Sequence, residues 1–177
     1  MEIYLRKELK TMNVFDNMVG KRHVVAESSQ LLATYGGAQI YNIKCKKDLD
    51  NGSIITYGDY LGNQIFESAD YAEGKMPLFV LTPPMGYNSD RKEYQDEAYF
   101  YNAKDEIARA YELKKGDFIT VSEEAFGDSY VPVKGDMVDS AYAKASVAPA
   151  TGYYGIVEDV VVTKLGRKSY RIYVAQV

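Results

Sequence analysis

Tryptophan is absent from this chain, and cysteine and histidine occur once each, as Cys45 and His23. One cysteine excludes an intrachain disulfide, so folding asks for no oxidising compartment. One histidine excludes the zinc centres built on two or three imidazoles. It also leaves His23 as the sole base for a Ser-His-Asp system, and no G-x-S-x-G elbow accompanies it. A Cys45–His23 dyad can be written down, but nothing in the order of residues brings the two together. "KRHVVAE" reads as a strand or surface segment, and "NIKCKKD" as the end of a strand with a structural thiol. Long apolar runs are missing too, so no transmembrane helix is expected. The opening "MEIYLRKELKTMNVFDN" lacks an apolar h-region and a small-residue cleavage site. It is not read as a signal peptide, and synthesis in the cytoplasm is expected.

Basic residues are outnumbered, 21 to 25, giving a net charge of -4 and a pI near 5.1. That balance argues against a general nucleic-acid binder, which must neutralise phosphates. Lys44, Lys46 and Lys47, like Arg167 and Lys168, stand beside turn signals and read as solvated hairpin rims. The acids form no facing pair. Asp96-Glu97, Glu123-Glu124 and Glu158-Asp159 are adjacent in sequence, and neighbours in a strand point to opposite faces. "DLDNG" from Asp48 resembles part of a calcium loop, but its spacing departs from the EF-hand pattern, and Tyr57, Tyr60 and Leu61 occupy the stretch that needs the closing Glu. It reads as a turn. No catalytic, metal or cofactor set emerges, and the chain is expected to bind other proteins rather than to catalyse.

Hydrophobic residues make up 46% of the chain and charged residues 26%, which suits a globular fold. There are 17 tyrosines. Tyrosine favours pleated surfaces, and it is enriched where proteins meet. Several short runs read as strands. They include "TYGGAQIYNI" from Thr34, Ser53–Tyr57 after the Asn51-Gly52 turn, Gln64–Ser68 after a Gly58-Asp59 turn, and the apolar Met76–Thr82 stopped by Pro83-Pro84. Ala103–Leu113 reads as a helical turn or an irregular strand, and Phe118–Ser122 as a strand after the Lys115-Gly116-Asp117 turn. Tyr153–Val177 is a hairpin around Lys164–Lys168. The predicted fold is mainly β, a short-stranded antiparallel sandwich or barrel with an extended N-terminal arm and little helix. Four parts follow: an arm over residues 1–30, a β lobe over 31–85, a long polar loop over 86–102 and a barrel-like lobe over 103–177. These may be counted as one continuous domain.

Three pieces in order, "DNGSIITYGD" (Asp50–Asp59), "PLFVLTPP" (Pro77–Pro84) and "FYNAKDEIARAYELKKGDFITVS" (Phe100–Ser122), resemble the head decoration, or cement, proteins of tailed phages. The resemblance spans roughly residues 48–122. It is a pattern of turns and strands and carries no catalytic signature. It implies a virion structural protein on the capsid surface, with the major capsid protein as its partner. It also implies copies that associate on the lattice, as trimers at three-fold positions, and no contact with nucleic acid or membrane. In that setting Glu2–Phe15 and Met85–Tyr99 carry the contacts, with Tyr4, Leu5, Tyr87, Tyr94, Tyr99 and Tyr101 as anchors. Arg109 is either an interface residue or an anchor paired with Glu106 or Glu112, and Tyr111 and Leu113 are buried. The alternatives are another virion part (head fibre base, connector or tail protein), a nucleic-acid-binding β barrel, or a hydrolase.

Overall fold

A computed structural model describes residues 21–36, 40–84, 96–127, 130–162 and 167–177. Its strands are short and rich in β-branched and aromatic residues, as pleated, half-buried surfaces require. Five of them close a barrel in the order β2 (Ile40–Lys44), β4 (Ile65–Asp70), β3 (Ile54–Gly62), β5 (Leu78–Val80) and β6 (Ile107–Glu112). All neighbours are antiparallel except β2 and β4, which run parallel. The other strands form an open sheet in the order β1 (Ala26–Gln30), β7 (Phe118–Ser122), β11 (Lys168–Gln176), β10 (Tyr154–Val162), β8 (Met137–Val138) and β9 (Lys144–Ala145). One short helix, α1 (Leu32–Gly36), follows β1.

This partition differs from the expected lobes. The closed barrel lies in the first half, and it takes β6 from the segment assigned to a C-terminal lobe. The open sheet takes β1 from the segment assigned to the arm. Strand β6 is amphipathic in the β sense, and that explains its membership. Ala108 and Ala110 are small enough to fill the barrel interior with Ile43, Cys45, Leu49, Ile55, Leu78 and Val80. Tyr111, on the opposite face of the strand, packs outward into the second core. That second core joins barrel to sheet: Ile54, Phe79 and Tyr111 meet Ile119, Val121, Tyr170, Ile172 and Val174. Tyr111 and Leu113 are both buried, as the sequence suggests.

A buried amide network closes one end of the barrel. Thr82 N–H donates to Asn51 Oδ1 at 2.9 Å, and Asn51 Nδ2 donates to Thr82 O at 2.9 Å. Asn102 Nδ2 donates to Leu49 O at 3.1 Å and to Asn51 Oδ1 at 3.3 Å. The three sequence pieces that carry the resemblance therefore meet here, through one residue of each. Gly52, the next residue, has φ +88°, and an added Cβ would come within 3.1 Å of Val24 and Val121. Only glycine lets this turn lie flat against the open sheet.

Strand β3 corrects one turn. The expected turn at Gly58-Asp59 is instead a register irregularity inside a strand that continues to Gly62. The chain reverses at Asn63 and Gln64, whose φ angles of 51° and 62° make a two-residue loop of the type I′ kind.

Candidate interaction surface

Of the seven predicted contact residues, Tyr4, Leu5, Tyr87 and Tyr94 lie outside the described residues. Tyr99 ends a short 3-10 turn (Glu97–Tyr99) capped by Asp96, whose carboxylate accepts from Ala98 N–H at 3.0 Å. Tyr101 stacks on His23, with ring centroids 4.7 Å apart. His23 Nδ1 lies 2.6 Å from Asp50 Oδ1, and its backbone N–H donates to Ala98 O at 2.7 Å. Arg167 completes this corner with two hydrogen bonds to Asp96, at 3.2 and 3.4 Å. The guanidinium beside it is the main reason that the Asp96 carboxyl sits below its ordinary range. Tyr99 and Tyr101 thus belong to one corner, beside His23.

Arg109 stands apart, exposed on the outer face of β6 opposite Asn42. Its expected ion pairs do not form. Glu112 bonds to Lys114, and Glu106 accepts from Ala103 N–H at 3.1 Å. The strand geometry explains this for Glu112, because residues three apart in a strand point to opposite faces. Glu112 turns toward the barrel and is buried, while Arg109 turns to solvent.

The larger aromatic surface is at the barrel's other end, and the sequence reading missed it. Tyr41, Tyr57, Tyr60 and Phe66 form a contiguous cluster, with centroid separations of 5.2 to 5.9 Å. Tyr41 also packs its hydroxyl on Met76 Sδ at 3.8 Å. These side chains rise from the inward rows of β2, β3 and β4, since Tyr41, Phe66 and Met76 pack against the interior cluster. They stop the barrel and spill out of its mouth. Tyr60 is 60% exposed and its neighbour Leu61 is 50% exposed. The signal in the sequence was the spacing of Tyr57 and Tyr60 before Asn63, which the supposed Gly58-Asp59 turn concealed.

Three lysines at the barrel's edge are matched to carboxylates. Lys44 pairs with Asp105 at 3.3 Å, Lys46 with Glu67 at 2.7 Å and Lys47 with Asp70 at 2.6 Å. A hairpin rim is the expected place of these lysines, but β2 pairs with β4 and β6 and not with β3, so the segment that carries them is a crossover at the barrel's edge. Cys45 is buried in the barrel, and burial pushes its thiol up to about 11. It is a structural residue with little thiolate character. His23 lies on a different surface, held by Asp50 and Tyr101. Among the described residues, no group of three or more His, Cys, Asp and Glu side chains is placed to hold a metal. A groove of about 440 Å³ runs between barrel and sheet, lined by Asp50, Asp70, Glu124, Ser140 and Tyr142 among others.

No family model, curated protein or solved structure matches this chain. Among the described residues, no helix is long and apolar enough to cross a membrane. The functional reading therefore rests on the chemistry of these surfaces.

Proposed function

We propose that this chain is a virion structural protein of the head decoration kind, which binds the assembled capsid shell and acts by binding rather than by catalysis. One observation carries the reading. The mouth of the barrel presents a contiguous tyrosine–phenylalanine cluster whose outermost member, Tyr60, projects into solvent beside the exposed Leu61 on a tight hairpin. Aromatic rings with a polar tip are the anchors on which protein interfaces concentrate their binding energy. The resemblance in residues 48–122 supplies the shell as the partner.

The action would be thermodynamic. A protein that binds assembled shell, and not loose subunits, stabilises the shell by mass action. A lasting site needs more than about 1,000 Å² of buried area. The arm Glu2–Phe15 and the loop Met85–Tyr99 would add their area to that of the barrel mouth. A net charge of -4 suits the outer surface of a particle, away from the genome.

The nucleic-acid-binding barrel is the less favoured reading. Exposed aromatics are present, but the single-strand binders pair them with a free basic groove. Here Lys44, Lys46, Lys47 and Lys114 are each matched to a carboxylate.

The test is binding to purified shells. Tyr60→Ala combined with Leu61→Ala is expected to lower affinity about tenfold or more, the cost of removing an interface anchor. Its unfolding midpoint should fall modestly, because Tyr60 also packs on Phe66 and its hydroxyl accepts from Gln64 N–H, so binding is compared well below the midpoints of both chains. Unchanged binding would remove the barrel mouth from the interface.

A further inference from the structure

The sequence contains a single Asn-Gly step, Asn51-Gly52. Glycine offers the least hindered backbone nitrogen, so this step is the one most open to attack on an asparagine side chain by the following amide. In the fold both reacting groups are engaged. Gly52 N–H donates to Val80 O at 2.7 Å. Asn51 is buried, and its amide gives one bond to Thr82 and receives another, each at 2.9 Å. Asn102 Nδ2 adds a bond to Asn51 Oδ1 at 3.3 Å. Gly52 O accepts from the Tyr142 hydroxyl, and Ser53 O accepts from Val80 N–H at 2.9 Å. The step is therefore locked into a seam between the turn before β3, the end of β5 and the residue Asn102.

We propose that Asn51-Gly52 is a self-modification site kept silent by the closed barrel, and that deamidation there turns an opening of this seam into a lasting loss of stability. The reaction needs no partner but water. Gly52 N gives up its proton to solvent hydroxide and attacks Asn51 Cγ. The bond from Gly52 N to Cγ forms, the Cγ–Nδ2 bond breaks, and Nδ2 takes a proton and leaves as ammonia. Water then opens the cyclic imide at either carbonyl, leaving aspartate or isoaspartate. The attacking nitrogen is the amide whose proton is held by the Val80 carbonyl. Attack therefore waits on opening, as amide exchange does.

Neither product fits the closed seam. Aspartate puts an acceptor where Asn51 Nδ2 donates to Thr82 O at 2.9 Å. Two acceptors then face each other, and a buried charge stands in place of a donor, which costs more than an unmade bond. Isoaspartate routes the main chain through Cγ and lengthens the turn by a carbon. The turn has no room for it, because a single Cβ added at Gly52 would already stand 3.1 Å from both Val24 and Val121.

The location makes the change consequential. The Asn51 side chain ties its turn to Thr82 and to Asn102, and Asn102 in turn donates to Leu49 O at 3.1 Å. Loss of that one amide loosens the contact between all three segments. Each opening then carries a chance of a covalent change that reclosure does not undo, which makes the working life of the fold a matter of rate. The inference does not rest on the proposed virion role.

Peptide mass spectrometry on the full chain, aged in isotopically labelled water at mildly alkaline pH, tests both halves. Conversion at Asn51 is expected to be at least about tenfold slower in the folded chain than in the chain unfolded by urea at the same pH and temperature. Equal rates would overturn the proposal. Asn102→Ala removes the bonds to Leu49 O and Asn51 Oδ1 and should speed conversion in the absence of urea. An unchanged rate would show that this network does not gate the reaction, and would overturn the proposal too. For the second half, chain partly converted in urea is returned to refolding conditions and separated by size. Chains that retain Asn51 should recover the parent's urea midpoint. Chains converted at residue 51 should stay unfolded or refold with a lower midpoint, and Asn51→Asp should behave as they do. Converted chains with the parent's midpoint would contradict the inference.

Discussion

Asp136 is the carboxylate on which acid should act most visibly. It accepts from Lys144 Nζ at 2.7 Å, from Tyr130 hydroxyl at 2.7 Å and from Val133 N–H at 3.0 Å. These bonds, the lysine first, lower its carboxyl from 3.8 to about 2. A carboxyl depressed by folding adds stability above its unfolded pKa and loses it as pH falls through the folded value. Between about pH 4 and pH 2, the parent chain should therefore lose stability more steeply than Asp136→Asn, as read from urea midpoints across that range. Parallel slopes would contradict the assignment. At Gly155 the prediction is steric. Its φ is unexceptional, but a Cβ there would stand 2.3 Å from Ile172 Cγ2 and 3.0 Å from Tyr153 hydroxyl. Gly155→Ala should cost about 1–3 kcal/mol in chemical unfolding, the usual penalty of overpacking. A neutral result would mean that β10 and β11 can part without cost.

The β3–β4 hairpin shows which elements the sequence discloses and which it hides. Phe118–Ser122 and the Tyr153–Val177 hairpin were legible because alternating β-branched and aromatic residues end at glycine turns. The Gly58-Asp59 turn was misread because glycine and aspartate also mark bulges within strands. That error hid the aromatic mouth, since Tyr57 and Tyr60 were assigned to different sides of a turn. The closed barrel was not legible in any local pattern. Its parallel pair, β2 with β4, is a contact between segments separated by a whole strand. Arg109 was visible as a residue that needs explaining, but that it pairs with neither Glu106 nor Glu112 depends in part on the face β6 buries. At the hairpin tip, Gln64 holds φ 62°, a conformation that costs side-chain-bearing residues. Gln64→Gly should stabilise the chain by up to about 1 kcal/mol, read as a higher thermal midpoint. A lower midpoint would mean that the Gln64 side chain contributes more than its backbone strain costs.

At the scale of the whole molecule, barrel and sheet share one core through Tyr111, Phe79 and Ile54, so the aromatic mouth is carried on a rigid base. Such a base favours a fixed docking geometry with little ordering cost on binding. The barrel exposes tyrosine at its mouth and pairs Lys44, Lys46 and Lys47 with carboxylates, which suits attachment to a protein surface better than attachment to phosphates. The most direct measurement is the copy number of this chain in purified particles, by quantitative mass spectrometry against the major shell protein. A ratio of about one per shell subunit, or a simple fraction of it, is the result that a lattice-wide decoration role predicts. A dozen copies or fewer would place the chain at the neck or tail, and its absence from particles would contradict the virion role altogether.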